Sequence, residues 1–272
     1  MPKLGILAGA GVLPARLIAA CRASGRPFYV LAFEGHTDRS LVDGVPHGWM
    51  RLGALGDGFK LLHEHAVEEL ILAGRIVRPA LSDLRPDLRG VRFLAKVGTA
   101  ALGDDGLLSA VMREIEDEGF RIIAPDAVLA DLVAPCGAYT TARPDEAAAR
   151  DIARAIEVAQ GLGRLDVGQA VVVQAGIVLG VEAIEGTDAL LARCAGLKRN
   201  APGGVLVKVR KPMQDRRVDL PTIGVETVRA AAAAGLRGIA IEAGGSLVMD
   251  RAGVAAAADE AGLFVVGAEV PA

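Results

Sequence analysis

Short apolar runs and amphipathic stretches take turns along this chain. Residues 3–8, 28–33 and 69–73 are compact apolar segments bounded by turn formers, the pattern of buried strands. Residues 14–24 and 56–65 carry the helical pattern between them. Leu107, Leu108, Val111 and Ile115 fall near the i, i+3, i+4, i+7 spacing of an amphipathic helix over 107–118, Gly119 ends it, and residues 121–123 return as a strand. Alternation of this kind predicts a parallel sheet covered by helices. The pattern breaks at Pro135, Gly137, Thr140, Thr141 and Pro144, so 135–144 is expected as a linker between a first domain, 1–134, and a second, 145–272. In the second, a helix is predicted over 146–161. Strands over 170–174 and 177–184 follow, joined through Ala175-Gly176 as a hairpin. Helices at 188–195, 224–234 and 251–261 then alternate with strands at 205–209, 238–241 and 263–266.

Composition narrows this picture. Hydrophobic residues make up 52% of the 272 positions but aromatics only 3%, so the cores must be built from Ala, Val, Leu and Ile. With few rings for stacking and a formal charge of −3, the chain is not a general nucleic-acid binder. No run approaches the roughly 18 consecutive apolar residues of a membrane-spanning helix. The first residues lead directly into a strand, without the basic and apolar regions of a signal peptide. Cys21, Cys136 and Cys194 are odd in number and widely spaced, which suits reduced thiols in the cytoplasm.

Candidate chemistry in the first half is glycine-centred. Gly9-Ala10-Gly11-Val12-Leu13-Pro14 joins the first strand to a helix, where free N–H groups and the helix dipole favour a phosphate. A dinucleotide fingerprint would add Gly or Ala at the third position and an acid about 20 residues on. Glu34 could be that acid, but Pro14 takes the third position and suits a first helical turn. A tight turn without a ligand is the alternative. Gly74-Arg75-Ile76-Val77-Arg78-Pro79 follows another strand, where guanidinium groups would meet phosphate oxygens or simply face solvent. In Gly103-Asp104-Asp105-Gly106 the carboxylates could hold Mg²⁺ or a ribose, although a helix cap is favoured.

The second half is richer in charge. Glu182, Glu185 and Asp188 surround a helix start, and residues 198–217 hold seven cations (Lys198, Arg199, Lys208, Arg210, Lys211, Arg216, Arg217) against one acid, Asp215. Cations beside isolated carboxylates are what cleavage of an anionic substrate requires, one set neutralising phosphate and the other holding a metal or taking a proton from water. A solvated charged face is the competing reading. The four histidines (His36, His47, His63, His65) have no zinc spacing and are expected to be structural or at the surface.

Seven segments, in this order and spacing, resemble the LpxI-type UDP-2,3-diacylglucosamine pyrophosphatases. They are Gly9-x-Gly11-x-Leu13-Pro14, Ala73-Gly74-x-x-x-Arg78-Pro79, Gly103-Asp104-Asp105-x-Leu107-Leu108, Gly163-Arg164-Leu165-Asp166-x-Gly168-Gln169, Val181-Glu182-Ala183-x-Glu185-Gly186-Thr187-Asp188, Lys211-Pro212 and Arg217-Val218-Asp219-Leu220-Pro221-Thr222-Ile223-Gly224. The resemblance covers nearly the whole chain; Arg75 stands where an asparagine is familiar. It implies two α/β domains, an N-terminal Rossmann-like parallel sheet and a second, mixed α/β domain, with a lipid held between them. The implied reaction is Mg²⁺-dependent (or Mn²⁺-dependent) hydrolysis to UMP and 2,3-diacylglucosamine 1-phosphate, in lipid A synthesis, by water added at the β-phosphorus.

Within that resemblance Asp219 and Lys211 are the expected catalytic residues. Gly9, Gly11, Leu13, Pro14, Gly74, Arg78, Asp104, Asp105, Gln169, Thr187 and Thr222 are expected to meet the acylated UDP-sugar. The metal ligands would come from Asp219, Glu185 and Asp188, with Asp104 and Asp105 as further candidates. A transient contact with the inner-membrane surface and the oligomeric state are left open. Two other readings stand beside it: an NAD(P)-dependent oxidoreductase built on the first glycine turn, and a non-catalytic carrier of a lipid-linked sugar nucleotide.

Overall fold

A computed structural model describes residues 1–76, 84–98, 104–218 and 220–271, and excludes the side chains of Asp104 and Asp105. The chain divides into two compact units, Met1–Ala130 and Asp131–Ala272.

In the first unit the order is β1 (Leu4–Ala8), α1 (Leu13–Ser24), β2 (Phe28–Phe33), β3 (His47–Met50), α2 (Leu55–Glu64), β4 (Glu69–Ala73), α3 (Leu88–Val97), α4 (Asp104–Asp117) and β5 (Arg121–Ile122). The sheet runs β3-β2-β1-β4-β5 with every pair parallel. Strand order therefore reverses at β1, between β2 and β4, the switch point of an open α/β sheet. Because strand side chains alternate, Leu4, Ile6 and Ala8 of β1 share one face with Val30, Ala32, Ile71 and Ala73, and there they receive Leu17, Ile18 and Cys21 of α1. Gly25, left-handed at φ 66°, ends α1.

The second unit contains β6 (Gly137–Ala138), α5 (Glu146–Arg164), β7 (Ala170–Gln174), β8 (Ile177–Val181), α6 (Gly186–Ala195), β9 (Val205–Lys208), β10 (Thr222–Ile223), α7 (Val225–Ala233), β11 (Gly238–Glu242), β12 (Leu247–Val248), α8 (Arg251–Glu260) and β13 (Phe264–Ala268). Its main sheet runs β6-β13-β11-β9-β7-β8, with β13, β11 and β9 parallel and β6, β7 and β8 each antiparallel to their neighbours. Odd and even strand positions feed two cores. Val171, Val173, Val205 and Val207 meet Ala148, Ile152, Ala155 and Ile156 of α5. Val172, Leu206, Ile239 and Val265 meet Leu190, Val228 and Val254 from α6, α7 and α8. The result is three layers with the sheet in the middle.

The expected hairpin closes through Ala175 (φ 50°) and Gly176 (φ 76°), both left-handed as a two-residue type I′ turn requires. Asp151, buried on α5, accepts both of their N–H groups at 3.0 and 2.7 Å.

Residues 135–144, expected as a linker, lie inside the second unit. Gly137–Ala138 forms an edge strand on β13, Tyr139 N–H donates to Val265 O, and the Thr140 hydroxyl accepts from Val265 N–H. Proline, glycine and threonine broke the apolar pattern there, but an edge strand needs only backbone groups to pair.

Candidate functional site

Each sheet presents a carboxyl edge, and nearly all the expected site residues on described positions fall on one or the other. At the first, the turns after β1 and β4 are zipped together. Gly9 N–H donates to Ala73 O, Ala10 N–H to Arg75 O, and Arg75 N–H to Ala10 O, all at 2.8 Å. A Cβ on Gly9 would lie 2.6 Å from Arg75 O, and one on Gly74 (φ +90°) would lie 2.5 Å from Ala10 O. These two glycines thus let one backbone approach another, whatever else they meet. Gly11 differs. Its φ of +100° also demands glycine, yet a Cβ there would meet none of the described residues within 4 Å, so among them its surroundings are open. Val12 precedes α1 without a side-chain cap, Leu13 and Pro14 form the first turn, and Pro14 is buried. Beside Gly11 a cleft of about 950 Å³ opens along residues 34–39, Val42, Asp43, His47 and Trp49.

The second edge is furnished with side chains. Lys208 ends β9, Glu242 ends β11, Glu182 follows β8, and Gln169 precedes the antiparallel β7, so register brings all four to the same end. Lys208 and Glu182 are only 6% and 7% exposed. The Lys208 ammonium donates to Thr187 Oγ1 at 2.9 Å and to Thr222 O at 3.2 Å. The Thr187 hydroxyl in turn donates to Glu182 Oε1 at 2.6 Å, while Glu182 Oε2 accepts from Gln169 N–H at 3.3 Å. A buried cation and a buried anion are thereby joined through one hydroxyl, and α6, β9 and β10 are tied at one point. Lys211, 8% exposed, places its ammonium 2.7 Å from Asp166 Oδ1. Arg210 donates its backbone N–H to Glu242 Oε2 at 2.7 Å. Among the described residues, buried Gln169 Oε1 and Ser246 Oγ have no hydrogen-bond partner, which leaves polar capacity at this edge for a further group.

The basic run of the sequence is split by the fold. Lys198 and Arg199 precede β9, and Arg199 N–H is bound by Gln174 Oε1 at the far end of the sheet. Lys208 ends β9, and Arg210, Lys211, Arg216 and Arg217 follow. The four-residue strand between them separates what sequence order had grouped.

Asp219 and Arg78 lie outside the described residues, as do the side chains of Asp104 and Asp105; the backbone of Asp104 opens α4. The chain on both sides of position 219 is held. Arg217 clasps Asp215 at 2.7 Å, Val218 is buried, and Pro221 and Ile223 accept N–H groups from Leu247 and Met249. Thr222 spends its hydroxyl on Leu220 O at 3.0 Å. Of the remaining expected metal ligands, Asp188 is exposed in the first turn of α6. Glu185 gives one oxygen to Arg193 at 2.8 Å and the other to Ala183 N–H at 3.1 Å. The Arg193 hydrogen bond holds the Glu185 carboxyl below the usual carboxylate range. Among the described residues no three His, Cys, Asp or Glu side chains gather as a metal site.

Comparison with known proteins decides the relationship. Residues 3–132 match the LpxI N-terminal domain and residues 135–266 the LpxI C-terminal domain. A protein of Caulobacter vibrioides called UDP-2,3-diacylglucosamine pyrophosphatase LpxI is 45% identical over 276 residues, covering 99% of this chain and 98% of that one. The chain belongs to the LpxI family.

Within this LpxI-family chain, reasoning from sequence did not single out Lys208, Asp166 or Glu242. Lys208 stood as one cation among seven at the end of an apolar run, and its burial depends on how β9 is flanked. Asp166 carried a signal of another sort. It sits between the helix and strand at φ +54°, an unusual conformation that aspartate tolerates better than most residues. That conformation shows only in the folded chain.

Proposed function

We propose that the chain hydrolyses the pyrophosphate of UDP-2,3-diacylglucosamine to UMP and 2,3-diacylglucosamine 1-phosphate. The observation that carries this reading is the 45% identity, over nearly the full length of both chains, to a relative named for that activity. The carboxyl edge of the second sheet supports it. A phosphoanhydride repels a nucleophile by its charge, so catalysis must come from neutralising and positioning. Lys211 and Arg210 are cations on the segment that leads to Asp219, and Lys208 tethers Thr222 just beyond it. In the proposed step the water oxygen bonds to the β-phosphorus, its proton passes to the Asp219 carboxylate, and the bond from phosphorus to the bridging oxygen breaks to release UMP.

The Thr187 hydroxyl, whose proton is committed to Glu182, serves better as a link in the tether than as a donor to substrate. Mg²⁺ or Mn²⁺ belongs to the proposal as a cation that would neutralise the pyrophosphate. Glu185 and Asp188 do not assemble a ligand set by themselves among the described residues. No described helix is long and apolar enough to cross a membrane. We propose a cytoplasmic enzyme that takes its lipid by transient contact with the membrane surface, in keeping with the acylated substrate for which its relative is named.

The test is UMP release from UDP-2,3-diacylglucosamine by the purified protein with Mg²⁺, with and without chelator. The Asp219→Ala variant is expected to turn over about 10²–10⁴-fold more slowly. No UMP under any divalent cation would overturn the activity; full turnover by Asp219→Ala would overturn the role of the aspartate; undiminished turnover in chelator would remove the metal. The oxidoreductase and carrier readings have no observation in their favour beyond the first glycine turn.

A further inference from the structure

We propose that the cleft of the first unit is a nucleoside site, in which Glu34 binds the ribose hydroxyls of a uridine 5′-phosphate and Trp49 flanks its base. The identity of that nucleoside rests on the function proposed above; the site rests on three observations.

Topology is one. The cleft lies outside the carboxyl ends of β1 and β2, beside the point where strand order reverses, which is where open parallel sheets receive ligands. Its volume, about 950 Å³, is ample for a nucleoside. It is a built feature, because the buried Thr37 hydroxyl accepts from Phe33 N–H at 2.8 Å and donates to Ala8 O, holding the 34–38 turn against the ends of β1 and β2.

The lining chemistry is another. Glu34 comes directly after β2, is exposed, and its carboxylate has no hydrogen bond or ion pair among the described residues. An acid in this place, some 20 residues beyond the glycine turn, meets ribose hydroxyls in nucleotide-binding sheets of this topology. Asp38 and Asp43 also line the cleft, with Arg39 as their counterpart. Asp38 is occupied by the N–H and hydroxyl of Ser40, at 2.9 and 2.8 Å. A lining with three carboxylates and one guanidinium suits an uncharged, hydroxyl-rich ligand and disfavours phosphate. The 5′-phosphate of the same ligand therefore belongs at Gly11, where the surroundings are open and the first N–H groups of α1 have no side-chain cap.

Aromatic placement is the third observation. The chain has a single tryptophan, and it lines this cleft with His47 edge-on to it, ring centroids 6.3 Å apart. In so ring-poor a protein, a half-buried tryptophan at the sheet's outer strand offers the flat apolar surface a pyrimidine needs.

That tryptophan also reports on the cleft. Titrating the full chain with UMP should change Trp49 emission saturably. Glu34→Ala, a change at an exposed position, should weaken UMP about tenfold or more, the effect of losing a hydrogen bond to a charged group. 2′-Deoxy-UMP should bind the unaltered protein more weakly than UMP does, and the Glu34→Ala variant equally well. Three results would overturn the site: silent Trp49 emission at UMP concentrations that inhibit turnover, an unchanged UMP inhibition constant in Glu34→Ala, or emission that responds to NADH and not to UMP. These readings are separate from the hydrolysis assay. A chain that cleaves its substrate with Trp49 silent would lose this site and keep its activity, and one that binds UMP without hydrolysis would do the reverse.

Discussion

Both sheets end at a carboxyl edge, yet they are finished with different materials. In the first unit the edge is backbone: Gly9 and Ala10 exchange main-chain hydrogen bonds with Ala73 and Arg75, and at Gly9 and Gly74 glycine serves where a Cβ would strike a carbonyl oxygen. In the second it is side chain: Lys208, Thr187 and Glu182 form a buried ionic chain, and Lys211 with Asp166 forms a second pair beside it. The difference teaches what each edge can do. Backbone N–H groups hold an anion without contributing a proton or a charge of their own, whereas carboxylates and ammonium groups can supply both. The first edge is therefore suited to holding an anion and the second to moving a proton.

The largest effect that would break this comparison is at Lys208. Lys208→Met keeps much of the volume and removes the ammonium, leaving Thr187 Oγ1 and Thr222 O without their donor and Glu182 without its linked cation. Breaking a buried charged arrangement from one side costs about 3 kcal/mol. Urea denaturation should report a loss of that order, and kcat for UMP release should fall more than KM rises, because the tether acts through the Thr222 backbone. Thr187→Val removes the same link from the middle. The two changes combined should cost less than their sum, as expected of groups in one network. A stable, fully active Lys208→Met protein would mean that side chains do not hold this edge.

Gly74→Ala probes the other edge. The new methyl would lie 2.5 Å from Ala10 O at a φ of +90°, so the zipper between the two turns must open or strain. A penalty of about 2 kcal/mol follows, read as a lower urea midpoint for the first unit. UMP binding at Gly11 should weaken with it, since the β1 turn loses its support. Unchanged stability would show that the close approach of these turns is dispensable.

Much of the fold was legible because its strands are short apolar runs between breakers. The boundaries of β2, β4 and β7 follow from the sequence residue by residue. What escaped depends on partners. The segment His-Gly-Trp-Met of β3 has little strand propensity and becomes a strand by pairing with β2. The two-residue strands β6, β10 and β12 likewise exist only as pairs. For α3, Asp87 does cap the helix by accepting from Gly90 N–H at 2.7 Å, but an internal glycine and three basic residues hid its pattern. At the site, the motif residues Gln169, Thr187 and Thr222 were visible and do converge on one edge. Their hub, Lys208, was not, because a lysine's burial is set by strands distant in sequence. Glycine was read as a ligand cradle at Gly9 and Gly74, whereas geometry there also requires it for backbone packing.

The smallest effect is expected at Asp151, which tests whether burial of charge alone marks the reactive edge. This carboxylate is as buried as Glu182, but it lies at the opposite end of the second sheet, where it accepts the N–H groups of Ala175 and Gly176 in the β7–β8 turn. Both residues are exposed, so in Asp151→Ala water can replace the lost acceptor, and the cost should stay near 1 kcal/mol. Turnover and UMP affinity should not change, because the hairpin still closes on a two-residue turn whose conformation Gly176 accommodates freely. The denaturation midpoint measures the first quantity and UMP release the second. If Asp151→Ala depressed kcat as Lys208→Met is expected to, buried charge anywhere in the second unit would matter equally, and the distinction between its reactive edge and its structural one would fail.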